Sequence, residues 1–196
     1  MLVDCSKPDE VFDKMQGTSY VVQKRIIQNK EMAAFNPSSV NTEKILSFLF
    51  KGEVFVLSAH MRVGAPDSFT DNAGGGKGWI IGIHDDGSTN SYGLNIYGHK
   101  RETDYYGQKI DGKVLSHHKE ICDIIRQSHK LFPYFGLMSW DFCVNDKEEP
   151  MLIEYNTGSP MALAYQLTTG PLFGELTDDV LSDASKKLDR LNFNLW

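Results

Sequence analysis

An α+β fold built around an antiparallel sheet flanked by helices is predicted from three features of the chain. Runs of β-branched and aromatic residues dominate its middle, segments with helical apolar spacing flank them, and the stretch from 137 to 157 alternates as a hairpin does. With 196 residues, 41% hydrophobic and 23% charged, the chain suits one globular domain over 1–196, or two small lobes, with a real core.

Ser6, ahead of Pro8, Asp9 and Glu10, reads as a capped helix start, and Val11, Phe12 and Met15 give that helix an apolar face. SYVVQKRII, residues 19–27, is a β-branched run expected to be a buried strand. QNKEMAAF suggests a short helix stopped by Asn36-Pro37, because the residue before a proline avoids the helical region. KILSFLF, EVFVLSAHMRVG, GWIIGIH and TNSYGLNIYG read as strands, with turns at Lys51-Gly52 and Asp86-Gly87. From Val114 to Phe132, Ile121, Cys122, Ile125 and Phe132 recur at helical spacing, up to Pro133. A last helix from about Thr177 puts Val180, Leu181, Ala184, Leu188 and Leu191 on one face.

Composition removes several function classes. A net charge of −6 and a pI near 5.5 disfavour a nucleic-acid surface, although a local basic pocket is compatible with them. The longest apolar run is far short of a membrane span, and MLVDCSKPDE lacks the pattern of a signal peptide. Cys5, Cys122 and Cys143 are odd in number and scattered without a CxxC, which indicates neither a disulfide framework nor a zinc site. The cytoplasm is the expected compartment. His60, His84, His99, His117, His118 and His129 show no metal-ligand spacing, and the last three are expected on the exposed side of their helix.

The hairpin raises a chemical question. Trp140, Phe142 and Val144 alternate with Asp141 and Cys143, NDKEEP supplies a turn, and MLIEYN returns. With Lys147-Glu148 at the tip, 146 pairs with 149, 144 with 151 and 141 with 154. Trp140, Phe142, Val144, Met151, Ile153 and Tyr155 then share one face, and Asp141, Glu154 and Asn156 the other. Like charges directly opposite each other destabilise a strand pair. A shared proton relieves that, and so does a divalent cation, for which two carboxylates and a carboxamide are a suitable hard ligand set.

WDFCVNDKEEPMLIEYNTGSP resembles the metal-binding end of the ATP-grasp superfamily, in which an acidic residue on one strand is followed on the next by Glu-x-Asn; here these are Asp141, Glu154 and Asn156, with Thr157 after them. The thirteen-residue separation of Asp141 and Glu154 is similar to that in D-alanine–D-alanine ligases. YVVQKRIIQN resembles the hinge strand that receives adenine, here near 19–27. SSVNTEKILSFLF, HMRVG, TDNAGGGKG and GLMSWDF together resemble the sugar-transfer-associated ATP-grasp proteins, over about Thr18 to Gly174. The resemblance implies an ATP-grasp-like fold with the metal-binding hairpin near 137–157. The implied reaction is ligation of a carboxylate to an amine through an acyl phosphate, in surface polysaccharide or sugar-transfer pathways. ATP and Mg²⁺ would be the cofactors, with Mn²⁺ as an alternative, and the other partner a small carboxylate and an amine or sugar-linked substrate.

Carried over by position, Asp141, Glu154 and Asn156 would ligate the metal. Arg62 would contact the transferring phosphate, for which a permanently charged planar fork is suited; a surface salt bridge is the plain alternative. Asn72, with AGGGKG after it, would position phosphate or the acyl intermediate, against the alternative of a turn between strands. This is no Walker loop, because Asp71 and Gly78 stand where a glycine and a hydroxyl residue belong. Lys77 either reaches phosphate or faces water. Gln23 lies where the hinge meets the adenine amino group, and the backbone of Lys24, Arg25 and Ile26 would complete that edge. Asn41 fits its block without an assignable role. About 19 residues precede Tyr20, and they hold neither the glycine-rich loop nor the lysines of the superfamily's N-terminal part. The expectation is therefore the C-terminal portion of the fold, completed by a homodimer or a further chain, or a fragment that binds nucleotide and metal without catalysis. A metal-dependent hydrolase using Asp141 and Glu154 is a third class, which predicts product without ATP consumption.

Overall fold

Nine residues from Thr42 to Phe50 form the interior strand β1, flanked by β2 (Glu53–Val63) and, from later in the chain, β6 (Leu137–Val144). Three further strands extend the sheet past β2: β3 (Trp79–Ile83), β4 (Thr89–Leu94) and the short β5 (Lys100–Arg101). One more, β7 (Pro150–Asn156), closes the other side. The order is β5-β4-β3-β2-β1-β6-β7, and every neighbouring pair is antiparallel. The helices are α1 (Pro8–Met15), α2 (Lys30–Ala33), α3 (His118–His129), α4 (Ala162–Thr169) and α5 (Thr177–Phe193). The computed structural model describes residues 6–68, 70–71, 77–95, 97–158 and 161–193. The α+β class and its antiparallel sheet are thus as the sequence predicts.

The two faces of the sheet have different chemistry. Ile45, Met61, Ile81, Trp140 and Phe142 lie on the face under α3, where they bury against Ile121 and Ile125. α4 covers part of the opposite face, packing on β2, β3 and β4. Gly82 makes that approach feasible: a Cβ there would stand 2.5 Å from Asn90 Nδ2 and 2.7 Å from the Thr168 carbonyl. No sequence expectation anticipates α4.

Several expectations are corrected. Residues 19–27 form no strand; Val21 is 81% exposed, and the first pairing after this run is an isolated bridge from Gln28 to Asn145. β-branched residues favour a strand only where a neighbour completes the ladder. At α1 the N-cap is Lys7 and makes no side-chain capping bond, and none of the helix's residues is buried. The helix read over 114–132 is confined to His118–His129, and both His118 and His129 are buried rather than exposed.

Their burial rests on partners from the sheet. The Trp140 indole donates to Ser47 Oγ at 2.7 Å, the Ser47 hydroxyl lies 2.7 Å from His129 Nδ1, and His129 Nε2 donates to the Phe135 carbonyl at 2.8 Å. Both nitrogens of the His129 ring are thereby partnered. His118 pairs instead with the carboxylate of Glu43 on β1 and lies 3.5 Å from Cys122 Sγ. Burial opposes a charged ring, but the hydrogen bonds to Cys122 and Glu43 and the Glu43 charge outweigh it and hold His118 up at about 10. With the folded value above the ordinary one near 6.5, this stabilisation is complete below about pH 6.5 and is lost as pH rises toward 10. Denaturant unfolding between about pH 6 and pH 10 is therefore expected to show stability falling across that window in the wild type and a shallower slope in His118→Gln. His118→Ala strands Glu43 in the core and should cost about 3–5 kcal/mol near neutral pH. Equal slopes in wild type and His118→Gln would contradict the pairing.

Candidate functional site

Alternation on β1 sends Glu43 and Ile45 to the α3 face and Thr42 and Lys44 to the other. Strand register then sets four side chains in one row across the sheet: His60 on β2 opposite Lys44 on β1, Lys44 opposite Asp141 on β6, and Asp141 opposite Glu154 on β7. Lys44 Nζ stands 2.5 Å from Asp141 Oδ1, with both side chains about 95% buried. Arg62, two residues beyond His60, places Nη1 3.7 Å from Asp141 Oδ2 and Nε 3.5 Å from Asp71 Oδ2. Asp71 also accepts from the Thr42 hydroxyl. Burial pushes the Asp141 carboxyl above its usual range, Lys44 and Arg62 pull it back, and the Glu154 charge adds to the rise.

The expected pairing of Asp141 with Glu154 is present, and Trp140–Tyr155 and Ser139–Asn156 keep its register, but the pairs between it and the tip are shifted by one residue. The tip brings Val144 opposite Pro150 rather than Met151, with Glu148 at φ 60° and the Asn145 carboxamide oxygen accepting from the backbone of Lys147 and Glu149. A bulge beside Asp141 then absorbs Ile153 and restores the 141–154 pairing. The expectation that six apolar residues share one face is corrected accordingly: Met151 stands opposite Cys143 instead of Val144, and Ile153, half-exposed at the bulge, lines a pocket.

That pocket has a volume of about 300 Å³ and is walled by Gln23, Lys24, Arg25 and Ile26 on one side, with Thr42, Asp71 and Ile153 among the residues facing them. The expected adenine segment therefore faces Thr42 (two residues before Lys44), Ile153 (next to Glu154) and Asp71 (the ion-pair partner of Arg62). The Arg25 guanidinium donates to the Ser38 carbonyl at 2.9 Å. Lys77 is exposed and is not among the pocket's lining residues, while Asn72 and 73–76 lie outside the described residues. Asn41, fully buried, gains an account: its amide donates to the carbonyls of Met32 and Asn36, and its oxygen accepts from Ser39. It ties the loop behind the pocket to β1.

The donor set fits a hard divalent cation. Asp141 and Glu154 present carboxylates from opposed positions, and the Asn156 carboxamide lies 3.3 Å from Glu154 Oε1. No cluster of three His, Cys, Asp or Glu side chains suited to a metal exists among the described residues, so a metal here would rely on the carboxamide or on ligand oxygens as well. Of the neighbours, Lys44, His60 and Asp71 are not assigned to the site by the sequence. A lysine inside the apolar run TEKILSFLF was the available signal, because a buried strand carries a charge only with a partner. His60 is kept neutral, its pKa brought down to about 3 by burial and by the Lys44 and Arg62 charges. Its ring meets Tyr165 of α4 edge-on at 4.6 Å. The Tyr165 hydroxyl is buried close to Ser139 without a well-formed hydrogen bond, and His60 Nδ1 has no partner among the described residues.

The two carboxylates should respond differently to substitution. Asp141→Ala removes the counter-charge of a buried lysine and should destabilise the chain by about 3–5 kcal/mol. Glu154→Gln, at an exposed position, should change stability by no more than about 0.5 kcal/mol. Urea unfolding of both variants checks this, and comparable losses would contradict the assigned burial.

Among the described residues no helix is long and apolar enough to cross a membrane. Neither the curated proteins nor the solved structures yield a match to this chain. The family model of the sugar-transfer associated ATP-grasp proteins matches residues 6–178, nearly nine-tenths of the sequence. With the antiparallel α+β sheet and the hairpin that opposes Asp141 to Glu154, this match makes the chain a member of the sugar-transfer associated ATP-grasp family.

Proposed function

We propose that this chain binds ATP and Mg²⁺ and transfers the γ-phosphoryl group to a carboxylate, as a carboxylate–amine ligase acting on substrates of surface polysaccharide or sugar-transfer pathways. The observation that carries the reading is the abutment of two features: a pocket walled by Gln23–Ile26, and the row Lys44–Asp141–Glu154 with Arg62 beside it. Base and phosphates then have adjacent places on one sheet face.

In this reading Gln23 and the backbone of Lys24, Arg25 and Ile26 meet the adenine edge, and Ile153 packs against the ring. Asp141, Glu154 and Asn156 hold the cation, which when bound neutralises phosphate charge and orients the phosphoryl group. Arg62 fixes the transferring group from β2, and the roles expected of Asn72 and Lys77 concern the same group. In-line transfer puts the acceptor opposite the departing ADP, on the His60 and Tyr165 side, which α4 covers. The acceptor carboxylate attacks phosphorus, ADP leaves, and an amine then displaces phosphate from the acyl phosphate.

A second reading, a nucleotide- and metal-binding module completed by a partner chain, is favoured by the exposed apolar side chains of Val21, Val22 and Ile27 next to the pocket. Isothermal titration of a non-hydrolysable ATP analogue, with and without Mg²⁺, tests the shared premise. Binding that requires the metal and is lost in Glu154→Gln and Asn156→Ala is expected. Binding indifferent to metal and to both substitutions would overturn the site. ADP release on addition of carboxylate and amine then separates ligase from module.

A further inference from the structure

Lys44 is in the wrong surroundings for a lysine whose task is structural. Its ammonium sits in an interior strand, about 95% buried, and its counter-ion Asp141 already has a second cation, Arg62, at its other oxygen. A buried ion pair is a weak source of stability, and an apolar side chain of similar volume would fill the same space with less desolvation. On its β2 side Lys44 finds only His60, a neutral ring that offers no counter-charge. Its partner must come from the Asp141 side of the row. Two residues earlier and on the same face, Thr42 lines the pocket assigned to the nucleotide.

Resting on the ATP-site reading above, we infer that Lys44 is a catalytic residue that exchanges Asp141 for an oxygen of the transferring γ-phosphoryl group. Two cations cannot share Asp141 Oδ1 without repulsion, so a metal engaging Asp141 weakens the hold of Lys44 on that oxygen. The phosphoryl oxygens brought by the same metal supply a new anion at the place the ammonium vacates. Four rotatable bonds let the side chain make this short move without shifting β1. The ammonium acts in this step as a point charge. It balances charge while the bond from phosphorus to ADP breaks and the bond to the acceptor oxygen forms.

The test compares two nucleotides. Mg²⁺ with a non-hydrolysable ATP analogue, and separately Mg²⁺ with ADP, are titrated into the wild type, Lys44→Met and Lys44→Arg. Expected is a loss of about tenfold or more for the triphosphate analogue in Lys44→Met, the scale of one charge-assisted hydrogen bond, with ADP affinity changed by less than about threefold. Lys44→Arg should retain part of the discrimination. Equal losses for both nucleotides, or none for either, would overturn the proposal and leave Lys44 as a partner of Asp141 only. A wild type that binds neither nucleotide would instead overturn the nucleotide site, and this role with it. Should Lys44→Met fail to fold, side-chain NMR of the lysine-labelled wild type decides. The Lys44 signal should move with the analogue and not with ADP, and identical responses to the two would refute the exchange.

Discussion

Two adjacent residues of opposite charge on a strand buried on both faces constrain the rest of this structure. Glu43 and Lys44 point to opposite sides of β1, and each is almost wholly removed from water. Glu43 must find a cation among the residues under α3, and it finds His118; Lys44 must find an anion on the α4 side, and it finds Asp141. A slip of β1 by one residue would turn Glu43 toward Asp141 and Lys44 toward His118, leaving two like-charged pairs in a low-dielectric interior. Hydrophobic burial alone would specify this register weakly, because Ile45 and Leu46 are both fully buried and either face could accept either side chain. Charge therefore supplies the discrimination that apolar patterning does not.

The same register composes the site. Once Lys44 is fixed opposite Asp141, antiparallel pairing fixes His60 on one side and Glu154 on the other, and the diagonal brings Arg62 to the second oxygen of Asp141. The α3 face remains the core, where Trp140, Ser47 and His129 form a chain of hydrogen bonds beside the Glu43–His118 pair. The α4 face collects Lys44, Arg62 and Asp141 together with the unpartnered His60 Nδ1, Ser139 Oγ and Tyr165 hydroxyl. Stability and chemistry are thus separated onto the two sides of a single strand.

How legible this was depended on the range of the interaction. The Asp141–Glu154 opposition was readable because alternation along a hairpin is local and its period is strict. The tip geometry and the bulge at Ile153 were not, since a turn with one more residue than expected shifts the pairing and a bulge further along restores it. The run 19–27 has strand composition but no neighbouring strand, which no single segment reveals. His118 and His129 were assigned to the exposed side because a histidine on a helix is usually wet; what buries them are Glu43 and Ser47, more than 70 residues earlier. α4 was invisible for another reason. ALAYQLTT is short and apolar around most of its circumference, so it has little helical periodicity to detect.

The electrostatics of the row also bear on how a cation would arrive. Asp141 is the most buried anion near the pocket, yet Lys44 and Arg62 already meet its charge, so a bare divalent ion gains little there and must repel two cations to gain it. Glu154 alone is exposed, and a single exposed carboxylate is a poor site. A cation that carries phosphate oxygens faces a different balance. Its own charge is partly neutralised, and the anions it brings give Lys44 and Arg62 somewhere to go. Metal and nucleotide should then bind as one unit, with affinity for either alone low and affinity for the complex set by the coupling between them. The ion pair seen between Lys44 and Asp141 is, on this view, a gate that admits a metal only when it comes with its phosphate.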